Sequence, residues 1–362
     1  MVIEKSLLFR YFVMYKLSKA MNNKEVLLTG ITGFLGSHTA IELLNRGYKV
    51  TGTLRDLNRI DSIRSIISNH TDNIDNLSFF QAELLDKEVW KKATANKDYV
   101  IHAASPFPRE LPKDENELII PAKEGTLNVL AAAKSNKVKR VVIVSSISTV
   151  VYGKKKDELE NVFTEETWTD TANRVDTKPY IRSKTIAEKA AWDFIKKDSD
   201  GMEMVSVLPG AMLGPVLEED FGTSANIVIK ALDGKMPAMP KIAFEIVDVR
   251  SVAQLLVDVM EKPQAAGNRF MASAGHMTMK QLANVLKSNF PDKKISTSEL
   301  PNFMSRFIAL FEPSLKPILL DLGITRKIDA TKAKRVLGWK PISKEDAILA
   351  CAKSVLKIGI VK

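Results

Sequence analysis

At 362 residues the chain is long enough for one large domain or two unequal ones, and its 45% apolar and 27% charged content is ordinary for a soluble globular enzyme. Its single cysteine, Cys351, excludes an intramolecular disulfide and points to a reducing, cytoplasmic setting, while four scattered histidines at no ligand spacing argue against a metal site. The formal charge of +10 sits at the two ends, +3 over residues 1–21 and +6 over residues 320–362, with no aromatic-interleaved basic motif, so nucleic acid is not an expected partner.

Residues 1–21 are apolar but broken by Arg10, and no uninterrupted run approaches the ~20 residues that a membrane span needs. They read as an N-terminal extension, dispensable for the fold. The apolar run Val26, Leu27, Leu28 then leads into Thr29-Gly30-Ile31-Thr32-Gly33-Phe34-Leu35-Gly36, after which Ala40, Leu43 and Leu44 set a helical period. A strand, a glycine turn and a helix N-terminus together make an anion site, because bare amides and the positive end of the helix dipole face the same point. Gly30 suits the tight turn, Gly33 the close approach of a pyrophosphate, and Gly36 the packing of helix on strand. Gly47 reads as a left-handed helix stop. Lys49–Leu54 is the second strand, ending at Arg55 and Asp56. An acidic residue at that position binds both ribose hydroxyls of NAD, whereas an arginine accepts the 2′-phosphate of NADP. Arg55 comes first, which favours NADPH over NADH, with Arg59 in support.

Leu77–Gln81 is a third strand, with Glu83 and Leu84 placed at the adenine edge, and Tyr99–Ala103 a fourth, running into Ala104, Ser105, Pro106 and Phe107. A helix over Pro121–Asn136 precedes Lys139–Val144, a continuous apolar strand of the kind buried in parallel sheets. Strand and helix alternate, which predicts an α/β, doubly wound parallel sheet with right-handed crossovers. The fifth strand delivers Ser145, Ser146 and Ser148 to its carboxyl end, over the ligand crevice of such a sheet. Their partner should be a tyrosine with a lysine four residues on, one helical turn apart, where the ammonium is expected to lower the phenol from its ordinary value of about 10. That pattern occurs three times. Tyr15/Lys19 precedes the glycine loop, Tyr152/Lys156 lies in a lysine run that reads as loop, and Tyr180/Lys184 alone opens a long helix, to about Lys197. Tyr180 and Lys184 are therefore the candidate pair. Met204–Leu208 is a sixth strand entering Pro209 to Pro215, after which the alternation lapses into a helix over Ser224–Leu232, a strand running into a helix over Ile246–Met260, a last strand at Arg269–Ala272 and mostly helix beyond. This predicts a dinucleotide-binding domain over 22–208, with 246–273 returning to it, and a smaller, mostly helical substrate lobe over 209–245 and 274–362.

The T-G-x-x-G-x-x-G loop, Val100-Ile101-His102-Ala103-Ala104-Ser105-Pro106, Val144-Ser145-Ser146, Tyr180-Ile181-Arg182-Ser183-Lys184, Glu188-Lys189-Ala190-Ala191-Trp192 and Leu337-Gly338-Trp339 together resemble the extended short-chain dehydrogenase/reductase family. The likeness is to its dihydroflavonol reductase-like carbonyl and aldehyde reductases and spans about residues 24–357. It implies a Rossmann fold in which Ser146 hydrogen-bonds the substrate oxygen, Tyr180 is the general acid of reduction, and Lys184 also holds the nicotinamide ribose. Cofactor contacts are then implied at Thr29, Gly30, Thr32, Gly33, Phe34, Leu35 and Gly36, at Arg55, Glu83 and Leu84, at Ala103, Ala104 and Ser105, and at Pro209, Gly210 and Met212 beside the nicotinamide. Ser105, Phe107, Met212, Leu213, Phe221 and Ile227, with Ser146, are the expected substrate pocket. Leu208 stands where many relatives have Asn, Glu83 where Asp is usual, and Val151 where flavonoid reductases place an Asn against the substrate, which argues against a flavonoid.

The expected activity is NADPH-dependent reduction of an aldehyde or ketone to an alcohol by a monomer or homodimer whose partner is a small carbonyl compound. Two other readings use the same loop. An NAD-dependent nucleotide-sugar epimerase or dehydratase is opposed by Arg55 and by the apolar Met212, Leu213, Met236 and Met239. A non-catalytic dinucleotide sensor is opposed by retention of the tyrosine, although fold alone does not decide function.

Overall fold

The computed structural model describes residues 24–106, 112, 114–219, 222–311 and 319–361. The N-terminal extension, with Tyr15 and Lys19, and the expected pocket residues Phe107 and Phe221 lie outside them.

Seven strands form one all-parallel sheet: β1 (Glu25–Thr29), β2 (Lys49–Leu54), β3 (Leu77–Gln81), β4 (Tyr99–His102), β5 (Arg140–Val144), β6 (Glu203–Pro209) and, beyond a small second sheet, Arg269–Ala272. Their spatial order runs from Arg269–Ala272 through β6, β5, β4, β1 and β2 to β3, so the order in which strands are added reverses between β1 and β4. Both faces are covered. Helix α1 (Phe34–Asn45), α2 (Ile60–Ser68) and the later helix Val249–Glu261 pack one side through Leu43, Ile63, Leu256 and their neighbours. On the other side α3 (Lys87–Ala93), α4 (Asn116–Ser135) and the long helix Pro179–Lys197 bury Trp90, Val129, Leu130 and Ala191. Helices on both faces leave no solvated side, so strands such as Arg140–Val144 read as unbroken apolar runs rather than alternating ones.

Local signals account for the ends of these elements. Gly47 takes φ +84, and its amide and that of Tyr48 close on the carbonyls of Leu44 and Leu43, ending α1 as predicted. Asp86 caps α3 by accepting from the amides of Glu88 and Val89. Helix α4 begins at Asn116, five residues before the expected start at Pro121, because three bonds to the carbonyls of Asp114 and Glu115 build its first turn ahead of the proline. Pro121 then omits a single donor inside the helix.

A one-turn helix, α5 (Ser148–Val151), follows β5, and α6 (Pro179–Lys197) opens with proline in its first turn after an extended Lys178. Past β6 a three-stranded mixed sheet appears: β7 (Ala211–Leu213) pairs parallel with β8 (Ala243–Asp248), and β10 (Gly275–Thr278) pairs antiparallel with β8, β9 being the edge strand Arg269–Ala272 of the main sheet. Helices α7 (Ala225–Leu232), α9 (Met279–Asn289) and α12 (Lys344–Lys357) pack around it, while α8 (Val249–Glu261) lies on the main sheet, α10 spans Asn302–Phe311 and α11 Lys332–Leu337. The second sheet escaped the sequence because β7 and β10 are only three and four residues long and the glycine Gly275 opens β10. Side chains alternate across β7: Met212 packs on the main core and Leu213 in the lobe core, so this short strand stitches the two bodies together.

Candidate active site

The glycine loop lies at the carboxyl end of β1, where the strand order reverses, the crevice position of a doubly wound sheet. Gly30 takes φ +74, and a Cβ there would meet the Ala104 backbone at 3.0 Å. On Gly36 a Cβ would stand 2.0 Å from the Gly30 carbonyl oxygen, so this glycine lets α1 close on the loop. Gly33 differs. Its backbone is ordinary and extended, and a Cβ would meet only the Gly30 oxygen, at 3.5 Å. Among the described residues neither strain nor a neighbour requires glycine at this position, which lines a cavity of about 640 Å³. Helix α1 starts there with no side-chain cap and no acidic residue in its first turn, leaving the positive end of its dipole unanswered. A glycine lining a cavity at an uncapped helix start fits a dinucleotide pyrophosphate.

The cavity runs from Gly30, Thr32 and Gly33 past Arg55, Glu83 and Leu84 to Ala103, Ala104 and Ser105. Arg55 is exposed at its rim and makes no ion pair among the described residues. Arg59, expected in support of Arg55, pairs instead with Glu218 of the lobe at 2.5 Å. Thr29 is wholly buried beneath the loop: its hydroxyl accepts from the Ala104 amide at 3.0 Å and lies 2.9 Å from His102 Nδ1. Leu35 packs into the main core, and Phe34 bridges both cores with its ring against His38 and beneath Gly222.

Three side chains converge at the ends of β5 and α6. Tyr180 shares a hydrogen bond with Ser146, whose Oγ also accepts from the Ser148 amide at 3.1 Å. Lys184, one turn further along α6, points its Nζ towards the Val144 carbonyl at 3.4 Å. It lines a second cavity of about 20 Å³ that shares Ala104 and Ser105 with the large one. Burial pushes the Tyr180 phenol up to about 12 against the opposing pull of Ser146, and burial lowers Lys184 to about 8 against the attraction of Glu188. The expected depression of the phenol by the ammonium is thus reversed. Loss of water outweighs the hydrogen bond with Ser146. Tyr180 is protonated at neutral pH, the state of a proton donor.

Other expected residues fall elsewhere. Leu213 is wholly buried in the lobe core, and Ile227 packs against the same core, so neither is brought to the large cavity. Met212 is half-buried against the main core, Pro209 ends β6 with its carbonyl accepting from the Ile147 amide, and Gly210 lies so near β8 that a Cβ would meet the Glu245 oxygen at 2.2 Å. Val151 packs with Phe163, Leu208 and Met271 in a small apolar cluster. Tyr152 of the rejected pair donates to Asp321 under the Arg326 guanidinium, a structural tie rather than a catalytic one. Glu188, which entered the sequence analysis only within a motif of the resemblance and with no role, is a buried carboxylate bonded to Ser145, Thr149 and Arg269; its i+4 spacing from Lys184 on a helix already implicated is the signal that could have pointed to it. Among the described residues no group of His, Cys, Asp or Glu could hold a metal ion, and no helix is long and apolar enough to cross a membrane.

Comparison with known proteins agrees with this fold. The family described as "NAD dependent epimerase/dehydratase family" matches residues 26–272. Cinnamoyl-CoA reductase CAD2 of Medicago truncatula is 32% identical over 75% of this chain and 82% of its own length. The ketoreductase azaE of Aspergillus niger is 32% identical over 80% of this chain and 90% of its own. Among solved structures, yeast methylglyoxal/isovaleraldehyde reductase Gre2 complexed with NADPH superposes with a TM-score of 0.78 at 26% identity, covering 92% of this chain and 99% of that one.

Proposed function

The chain belongs to the NAD dependent epimerase/dehydratase family, within the extended short-chain dehydrogenase/reductases, and on that premise we propose that it reduces an aldehyde or ketone to the alcohol with NADPH. The observation that carries this reading is the hydrogen bond between Tyr180 and Ser146, with Lys184 one helical turn on and lining the small cavity that shares Ala104 and Ser105 with the large one. The glycine loop would hold the pyrophosphate and Arg55 the 2′-phosphate; the reduced nicotinamide supplies a hydride when bound. Tyr180 Oη gives its proton to the carbonyl oxygen, and Ser146 Oγ donates a hydrogen bond to the same atom. Lys184 adds positive charge where negative charge develops. Because Ser146 is already fixed by the Ser148 amide, little reorganisation is needed as that charge appears, so stabilisation favours the transition state over the substrate.

The substrate is proposed only as a class, a small carbonyl compound. Oxidation of NADPH and of NADH against a panel of aldehydes, α-ketoesters and dicarbonyls tests the reading. The expected result is turnover with NADPH and much weaker turnover with NADH. Tightly retained NAD with no NADPH oxidation would instead favour an epimerase or dehydratase, and cofactor binding with no turnover across the panel would favour a sensor.

A further inference from the structure

Glu188 takes no proton and touches no substrate in the reaction proposed above, yet it is gripped from several sides. It is 2% exposed on α6, one turn beyond Lys184 and two beyond Tyr180. Ser145 Oγ donates to its Oε2 at 2.6 Å, and Thr149 Oγ1 lies 2.8 Å from the same oxygen. Arg269 donates from Nε to Oε1 at 2.8 Å and from Nη2 to Oε2 at 3.2 Å, and Trp192 Nε1 approaches Oε1 at 3.4 Å. Ser145 immediately precedes Ser146, and Thr149 Oγ1 also lies 2.9 Å from the Ser146 carbonyl oxygen. The carboxylate therefore holds the Ser146 turn on both of its flanks.

Its other neighbour is Lys184, which shares with it the small cavity. The ionisable groups bearing on this ammonium are Glu188 from its own helix and His102 from β4, while Arg269 reaches Glu188 from the edge strand β9. Arg269 is itself fixed by the carbonyls of Glu165 and Thr167 and lies 3.6 Å from the Trp168 ring centroid. A buried charge persists only where it is paired and hydrogen-bonded, and here both conditions hold.

We propose that Glu188 is the positioning residue of this site: its charge, locked by Arg269, sets the Ser146 turn and keeps Lys184 protonated through the working pH range. The inference rests on the reductase reading for its consequence in catalysis, but it has a readout independent of turnover. Competitive acetylation of the lysines across a pH series, read by mass spectrometry, reports the midpoint at which Lys184 loses its proton. In Glu188→Gln that midpoint is expected to fall by about one pH unit, since an opposite charge has been removed from beside it, and in Glu188→Asp to stay near the wild type. If turnover is present, the alkaline limb of its pH profile moves down with it, a shift that mere loss of packing would not produce. An unchanged Lys184 midpoint in folded Glu188→Gln overturns the proposal. Should that variant not fold, Glu188→Gln combined with Arg269→Met removes the stranded guanidinium; a fall in the midpoint supports the proposal and an unchanged one overturns it. Absence of carbonyl turnover in the wild type would count against the reductase reading alone, leaving the labelling result to decide the role of Glu188.

Discussion

Arg55 is the residue on which the choice of dinucleotide turns. It stands exposed at the cavity rim with no carboxylate paired to it among the described residues, whereas Arg59 is engaged by Glu218. Hydrogen bonds to charged groups contribute ~1.5–3 kcal/mol, so Arg55→Gln should weaken NADPH binding by about tenfold or more while leaving NADH nearly unchanged. Fluorescence titration with both dinucleotides checks this; equal losses for the two would mean that Arg55 does not meet the 2′-phosphate. Tyr180 carries a different burden. With its phenol pushed up to about 12 it is a ready donor and a reluctant phenolate, which suits protonation of a nascent alkoxide better than abstraction from an alcohol. Reduction should accordingly outpace the reverse oxidation at neutral pH, as initial rates in both directions with matched substrate and product would reveal; a faster oxidation would contradict it.

The glycine loop makes separable predictions about packing and binding. Gly36→Ala would force a Cβ to within 2.0 Å of the Gly30 oxygen, so it should lower the thermal midpoint and abolish cofactor binding together. Gly33→Ala meets only ordinary contact at 3.5 Å, so its thermal midpoint should stay near the wild type while NADPH binding weakens strongly. Parallel falls in both properties for Gly33→Ala would show that this glycine serves the fold alone. The loop, the six strands from β1 to β6 and the Tyr180–Lys184 turn were legible in the sequence because each rests on local rules: apolar runs buried on two faces, a glycine where φ turns positive, a four-residue helical spacing. What escaped were features set by distant segments. The direction of the Tyr180 shift depends on burial by the whole site, the partner of Arg59 comes from the lobe, and the burial of Leu213 follows from strand pairing with β8. Glu188 was visible as part of a motif, but its role depends on Arg269, eighty-one residues away.

Across the molecule, two buried histidines couple the fold to pH. His38 lies 2.9 Å from the Pro215 carbonyl oxygen, joining α1 to the lobe, and His102 sits under the glycine loop against Thr29. Burial holds His38 down at about 4, the Pro215 hydrogen bond opposing, and His102 at about 3, Lys184 adding to the effect. Unfolded, both would titrate near 6.5, so between that value and their folded values the unfolded chain binds more protons. Their contribution is therefore complete above about pH 6.5 and is lost as pH falls through this window, on the order of 1–2 kcal/mol each by pH 5. Urea midpoints at pH 7 and pH 5 should show the decline, and His102→Gln should make it shallower; an identical decline in that variant would remove His102 from the account. The same histidine lies against both the loop and the Lys184 cavity, so the cofactor floor and the proton-handling residues are built on one buried layer between β4 and α6.

That layer gives the reductase reading its most direct test, in Tyr180→Phe, which removes one hydroxyl and leaves the ring. NADPH affinity, by fluorescence titration, should match the wild type, while oxidation of NADPH by a carbonyl substrate that the wild type reduces should fall by about 10²- to 10⁴-fold. Unimpaired binding with near-normal turnover would contradict the account, because the proton would then be reaching the product from somewhere other than Tyr180.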